Sequence, residues 1–145
     1  MRLLAVLAHP DDESLGVGGT LAKYAAEGCE VSLLTATRGG AGRYLNFPPG
    51  HPEHPGPLAL ADIREAELRK AAAALGVGDV TVLDYPDRFV DRAQPHHAIA
   101  AIAGHLRKIR PDVVVTFGPD GAYGHPDHIA ISQFTGAAIV TAADP

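Results

Sequence analysis

Residues 2–13, Arg2-Leu3-Leu4-Ala5-Val6-Leu7-Ala8-His9-Pro10-Asp11-Asp12-Glu13, run from an unbroken apolar stretch into one imidazole and three carboxylates. An apolar run without polar alternation suits a strand buried on both faces, the kind found in parallel sheets covered by helices. Charge of this density has no place inside such a strand, so His9, Asp11, Asp12 and Glu13 fall at its carboxyl end. In an open α/β sheet that edge is where ligands bind. The next segment, about residues 14–27, reads as a helix whose N-terminus faces the same place, ended by Gly28. Gly16, Gly18 and Gly19 sit in its first turn and permit close backbone approach. They are not a dinucleotide fingerprint: the G-x-G-x-x-G spacing is absent, and the acids before them would repel a pyrophosphate.

Working outward, residues 30–36 read as a second strand and residues 37–43 as a glycine-rich turn. The prolines of residues 46–57 exclude regular structure there, and a loop that long is often a lid or binding loop. A helix over about 58–75 and a strand over 80–85 follow, then a turn at Pro86-Asp87-Arg88. A helix over 95–109 and a β-branched strand over 112–117 come next. Pro126 suits the first turn of a last helix reaching about residue 143. The alternation β-α-β-α-β-α-β-α predicts one α/β domain over 1–145 with a parallel sheet and right-handed crossovers.

The 145 residues suit a single core, and 46% apolar with 20% charged residues is ordinary for a globular chain. A net charge of -5 gives no electrostatic basis for nucleic-acid binding. Cys29 stands alone, which excludes an intrachain disulfide framework and a cysteine-based zinc site, and its place at a strand start predicts a buried small side chain. No targeting segment or membrane span is read from the sequence, so a cytoplasmic enzyme acting away from membranes is the expectation.

In the Rossmann-like strand order 3-2-1-4, strands one and four are neighbours at the switch point. The loop after strand one carries His9, Asp11 and Asp12; the loop after strand four carries Tyr123, His125, Asp127 and His128. These distant residues are therefore expected in one crevice. Two histidines and a carboxylate form a common catalytic zinc set, which His9, Asp12 and His128 could supply. Asp11, beside that set, would take a proton from water. His125 and Tyr123 could donate hydrogen bonds to a developing oxyanion, and Asp127 could orient or charge His125. Taken one at a time, the acids would merely complement helix dipoles, worth about 0.3–1 kcal/mol. Two polar clusters at adjacent strand ends favour a site. His51-Pro52-Glu53-His54 has similar spacing but neither a preceding buried strand nor a following apolar helix, and reads as surface loop. His96, His97 and His105 read as decoration of the third helix.

The two loops together resemble the LmbE-like, or PIG-L, family of metal-dependent N-deacetylases. Residues 8–13 match its first signature and residues 125–128 its second. Residues 37–42 and 64–67 extend the likeness, and Tyr123-Gly124 is most similar to the branch of the mycothiol-pathway deacetylase and the mycothiol S-conjugate amidase. The resemblance implies a Rossmann-like fold, zinc (or ferrous iron), and hydrolysis of an N-acetylglucosaminyl group. By motif position it implies His9, Asp12 and His128 as metal ligands and Asp11 as general base. His125 and Tyr123 would steady the tetrahedral intermediate, Asp127 would tune His125, and Arg64 would contact substrate.

Two departures stand out. Gly40 replaces the Glu usual in the family, and the chain stops after its fourth helix, where family members continue with strands that complete the sheet. An apolar edge is therefore expected at strand four, covered in a homo-oligomer or exposed in a truncated form. The expected function is metal-dependent removal of the acetyl group from a small N-acetylglucosaminyl conjugate. Amidase action on a thiol S-conjugate and a non-catalytic sugar-binding module are the alternatives.

Overall fold

The apolar run forms β1, Arg2–Leu7, and every residue from Leu3 to Leu7 is at most 2% exposed. The computed structural model describes residues 1–143. β1 pairs in parallel with β2, Glu30–Thr37, on one side and with β4, Val113–Val115, on the other. β3, Asp79–Tyr85, pairs in parallel with β2, so the strand order is β3-β2-β1-β4, as the Rossmann-like reading expects.

Side chains alternate across β1 and feed a core on each sheet face. Leu4 and Val6 join Leu34 and the apolar sides of α4, Pro95–Ile109, and α6, Pro126–Ala143, including Ile102, Leu106, Ile131 and Phe134. Leu3, Ala5 and Leu7 join Leu33, Leu21 of α2, Gly18–Ala26, and Leu68 and Ala72 of α3, Pro57–Ala74. Each fully buried Leu contributes about 1.5–3 kcal/mol, so β1 and its flanking helices form a rigid platform below the acidic loop.

Three local expectations are corrected. The first helix is broken into α1, Asp12–Leu15, and α2, because Val17 leaves helical geometry at φ -132°, ψ 8°. Gly16 still closes the α1 turn, its N–H donating to the Asp12 carbonyl at 2.9 Å. β4 is shorter than residues 112–117, because it is paired only with β1 and only over Leu3 to Ala5. Asp112 instead ties down the strand start, its carboxylate accepting the Arg2 N–H at 2.7 Å. Cys29 is half-buried against the Leu3 side of the core rather than fully enclosed.

The β4 edge is open, with Val113 40% exposed and Ile139 and Val140 of α6 also exposed. Among the described residues, no helix is long and apolar enough to cross a membrane.

Candidate metal and catalytic site

Three loops at the carboxyl ends of β1, β3 and β4 meet above the sheet. After β1 the chain turns sharply at Asp11, whose φ of 122° lies outside the usual range for an L-residue. The turn lets the Asp12 carboxylate fold back and accept the N–H groups of Ala8 and His9, at 3.1 and 2.8 Å. After β4, the short irregular helix α5, Gly121–Gly124, leads into Pro126 at the start of α6. Asp127 and His128 in that first turn are 0% and 3% exposed. The Phe117 ring stacks on His128 with centroids 3.9 Å apart and fixes its plane.

His9 and His128, 119 positions apart in sequence, meet at 3.2 Å between Nδ1 and Nε2. Asp12 oxygens lie 3.7 Å from His9 Nδ1 and 3.5 Å from His128 Nε2. The outer nitrogens set the tautomers. His9 Nε2–H donates to the Asp127 carboxylate at 2.9 Å and lies 3.3 Å from Asp87. His128 Nδ1–H donates to the Gly121 carbonyl at 3.3 Å. Each inner nitrogen is then left with a lone pair, and the two lone pairs face each other beside a carboxylate. Only a proton or a cation between them relieves that arrangement. Bonds of about 2.0–2.1 Å from a tetrahedral zinc put donor atoms about 3.3–3.4 Å apart, close to the observed spacing. The donor set therefore fits a divalent metal ion.

The protonation states carry the same strain. Burial would lower the His9 pKa, but hydrogen bonds to Asp127 and Asp87 and the charge of Asp12 raise it to about 9. Burial, with the neighbouring His9 and His125, lowers His128 to about 4. Burial raises Asp12 to about 6 despite its two backbone hydrogen bonds. Asp11 is also raised by burial, with the Arg64 guanidinium opposing. Without a metal, one proton held at His9 is the counter-charge of the cluster.

His125 stacks on His128 with centroids 4.6 Å apart, and Tyr123, 76% exposed, stands edge-on to both rings. The Asp127 N–H donates to His125 Nδ1 at 3.1 Å, which leaves the His125 proton on Nε2, free to donate. The expected role of the Asp127 carboxylate is corrected by its contacts. It is hydrogen-bonded to His9 and to the N–H groups of Arg88 and Val90, not to His125, because the first turn of α6 points it at the β1 loop. The three histidines, Asp11, Arg64 and Tyr123 line a cleft of about 160 Å³. That cleft shares Asp11, Gly42 and Arg64 with a groove of about 620 Å³ running toward Leu15 and Glu67.

Asp87 and Arg88 escaped the sequence reading as site residues, and Glu13, read as part of the charged cluster, was given no role of its own. Asp87 follows the third strand as Asp11 follows the first, and that equivalent position was the available signal. His51 and His54 stay outside the cluster, as expected, and no further metal-capable group occurs among the described residues apart from His9, His125 and Asp127. Gly40 has a steric reason: a Cβ there would lie 2.7 Å from the Pro57 carbonyl oxygen.

The chain is similar to proteins whose names match this chemistry. It is 42% identical to a 1D-myo-inositol 2-acetamido-2-deoxy-alpha-D-glucopyranoside deacetylase of Kineococcus radiotolerans, over 98% of this chain and 45% of the relative. It is 43% identical to the protein of the same name from Streptomyces avermitilis, over 99% of this chain and 54% of the relative. The structure of N,N'-diacetylchitobiose deacetylase from Pyrococcus horikoshii superposes with a TM-score of 0.83 at 28% identity, covering 99% of this chain and 51% of that one. The chain thus spans about half the length of the curated relatives it matches. The sequence profile of PIG-L, described as GlcNAc-PI de-N-acetylase, matches residues 4–139, and the chain belongs to that family.

Proposed function

We propose that this chain carries the catalytic site of a metal-dependent hydrolase that removes the acetyl group from an N-acetylglucosaminyl conjugate. The observation that carries the reading is the meeting of two histidine lone pairs and a buried carboxylate at 3.2–3.7 Å, with Asp11 beside them. The names of the relatives supply the substrate class. His9, Asp12 and His128 would hold the ion, zinc in our reading with ferrous iron as the alternative. When bound, it supplies Lewis-acid polarisation and lowers the pKa of water to roughly 7.

The chain's own groups do the rest. Asp11 accepts a proton from the attacking water and returns it to the leaving nitrogen. A carbon–oxygen bond forms, the amide carbon–nitrogen bond breaks, and acetate and a free amine leave. His125, donating from Nε2, and the Tyr123 hydroxyl stabilise the oxyanion, the kind of donor whose loss costs about 10²–10³ in rate. Asp127 and Asp87 hold the His9 ring so that its inner nitrogen stays unprotonated once the ion is in place.

Acetate release from a panel of N-acetylglucosaminyl conjugates tests the proposal, using chelator-treated protein with and without added zinc or ferrous iron. Metal-restored release supports it. No release from protein that holds stoichiometric metal contradicts it.

A further inference from the structure

Asp11 holds a backbone conformation, φ 122° and ψ -29°, that an L-residue adopts only when its surroundings impose it. Two side chains hold it, one at its backbone N–H and one at its carboxylate. Glu13, 2% exposed, accepts the Asp11 N–H at 2.9 Å with one oxygen and the Ser14 hydroxyl at 2.6 Å with the other. From α3, Arg64 donates to the Asp11 carboxylate at 2.8 Å, to the Gly39 carbonyl at 2.9 Å, and to the Pro10 carbonyl. The glycine loop after β2 is shaped around that guanidinium. A Cβ on Gly39 would overlap it, and one on Gly42 would stand 3.0 Å from Nη1. Arg64 thereby ties the β1 loop to the β2 loop, with both of its terminal nitrogens engaged by protein groups.

We propose that Arg64 and Glu13 are positioning residues that clamp Asp11 for proton transfer, Arg64 on its carboxylate and Glu13 on its backbone. The catalytic consequence rests on the deacetylase reading above; the clamp itself does not. Arg64 also lines the cleft, so a substrate contact is the competing role, and the kinetic constants separate the two.

The experiment compares zinc-loaded parent, Arg64→Ala, Arg64→Lys, Glu13→Ala and Glu13→Gln by kcat, KM, zinc content and amide exchange at Asp11. Arg64→Ala is expected to lower kcat about 10²-fold, the scale of a misplaced catalytic group, with zinc content and KM near the parent values. Arg64→Lys should recover part of that loss. Glu13→Ala should speed Asp11 amide exchange by at least about tenfold, while Glu13→Gln, which keeps one acceptor, retains most of the protection. A raised KM with unchanged kcat in Arg64→Ala would assign Arg64 to substrate and overturn its part. Unchanged Asp11 exchange in Glu13→Ala would overturn the clamp even if the parent releases no acetate, because exchange does not depend on turnover.

Discussion

His51-Pro52-Glu53-His54 and His125-Pro126-Asp127-His128 share spacing and chemistry, yet among the described residues only the second joins a group that could hold a metal ion. In the first, His51 stacks on Phe47 at 4.6 Å and His54 reaches the Gly42 carbonyl at 3.2 Å. Their Nδ1 atoms accept the N–H groups of Glu53 and Gly56, so the loop's own backbone satisfies them. In the second, Pro126 starts a long helix packed on the sheet, which forces Asp127 and His128 into the interior. There the Asp127 carboxylate and the inner nitrogen of His128 meet His9 and Asp12 of the loop after β1 across the crevice. The pattern acquires chemistry from the strand before it and the helix after it.

The largest contrast is expected in metal binding. His128→Ala should weaken zinc affinity by more than about 100-fold, beyond the upper end for losing an outer partner. His54→Ala should leave affinity at the parent value; equal losses in the two variants by competition titration would erase the distinction. Next, Asp127→Asn should cost about 10–100-fold in zinc affinity through loss of the His9 partner, and Glu53→Gln nothing measurable.

A smaller effect comes from pH on metal-free protein. His9 binds its proton more tightly when folded, at about 9 against 6.5, so its stabilisation is complete below pH 6.5 and lost as pH rises through 9. Below that window the raised Asp12 and lowered His128 act in opposite directions. Melting should therefore show stability falling from pH 6.5 to 9, by at most about 3 kcal/mol. Excess zinc should abolish the fall, since the ion replaces that proton. A flat metal-free profile would contradict the protonated His9. The smallest effect is expected at the other motif, where His51→Ala should shift stability by no more than about 0.5 kcal/mol in denaturant unfolding.

Much of this was legible in the sequence because burial and charge conflict most visibly at β1. An apolar run that ends in four ionisable residues leaves few placements, and the strand order then brings residues 125–128 beside it. The break at Gly16-Val17 had a signal in Gly16, Gly18 and Gly19, which are costly inside a helix. Glycine is also tolerated in a first turn, however, and does not by itself fix where a helix breaks. The Asp127 contact with His9 was hidden: sequence neighbours suggest His125, but the direction of a first-turn side chain depends on how α6 docks. Asp87 was missed, and Glu13 was left without a role, because each looks like an ordinary turn or helix-start acid until the fold shows what they accept.

The most direct test of the division of labour at the site is zinc-loaded Asp11→Asn, assayed for bound zinc and acetate release beside the parent. Asp11 stands next to the ion in this reading but does not hold it. The variant should bind one zinc per chain as the parent does and release acetate at least about 10²-fold more slowly. Retained activity, or loss of zinc along with activity, would contradict that assignment.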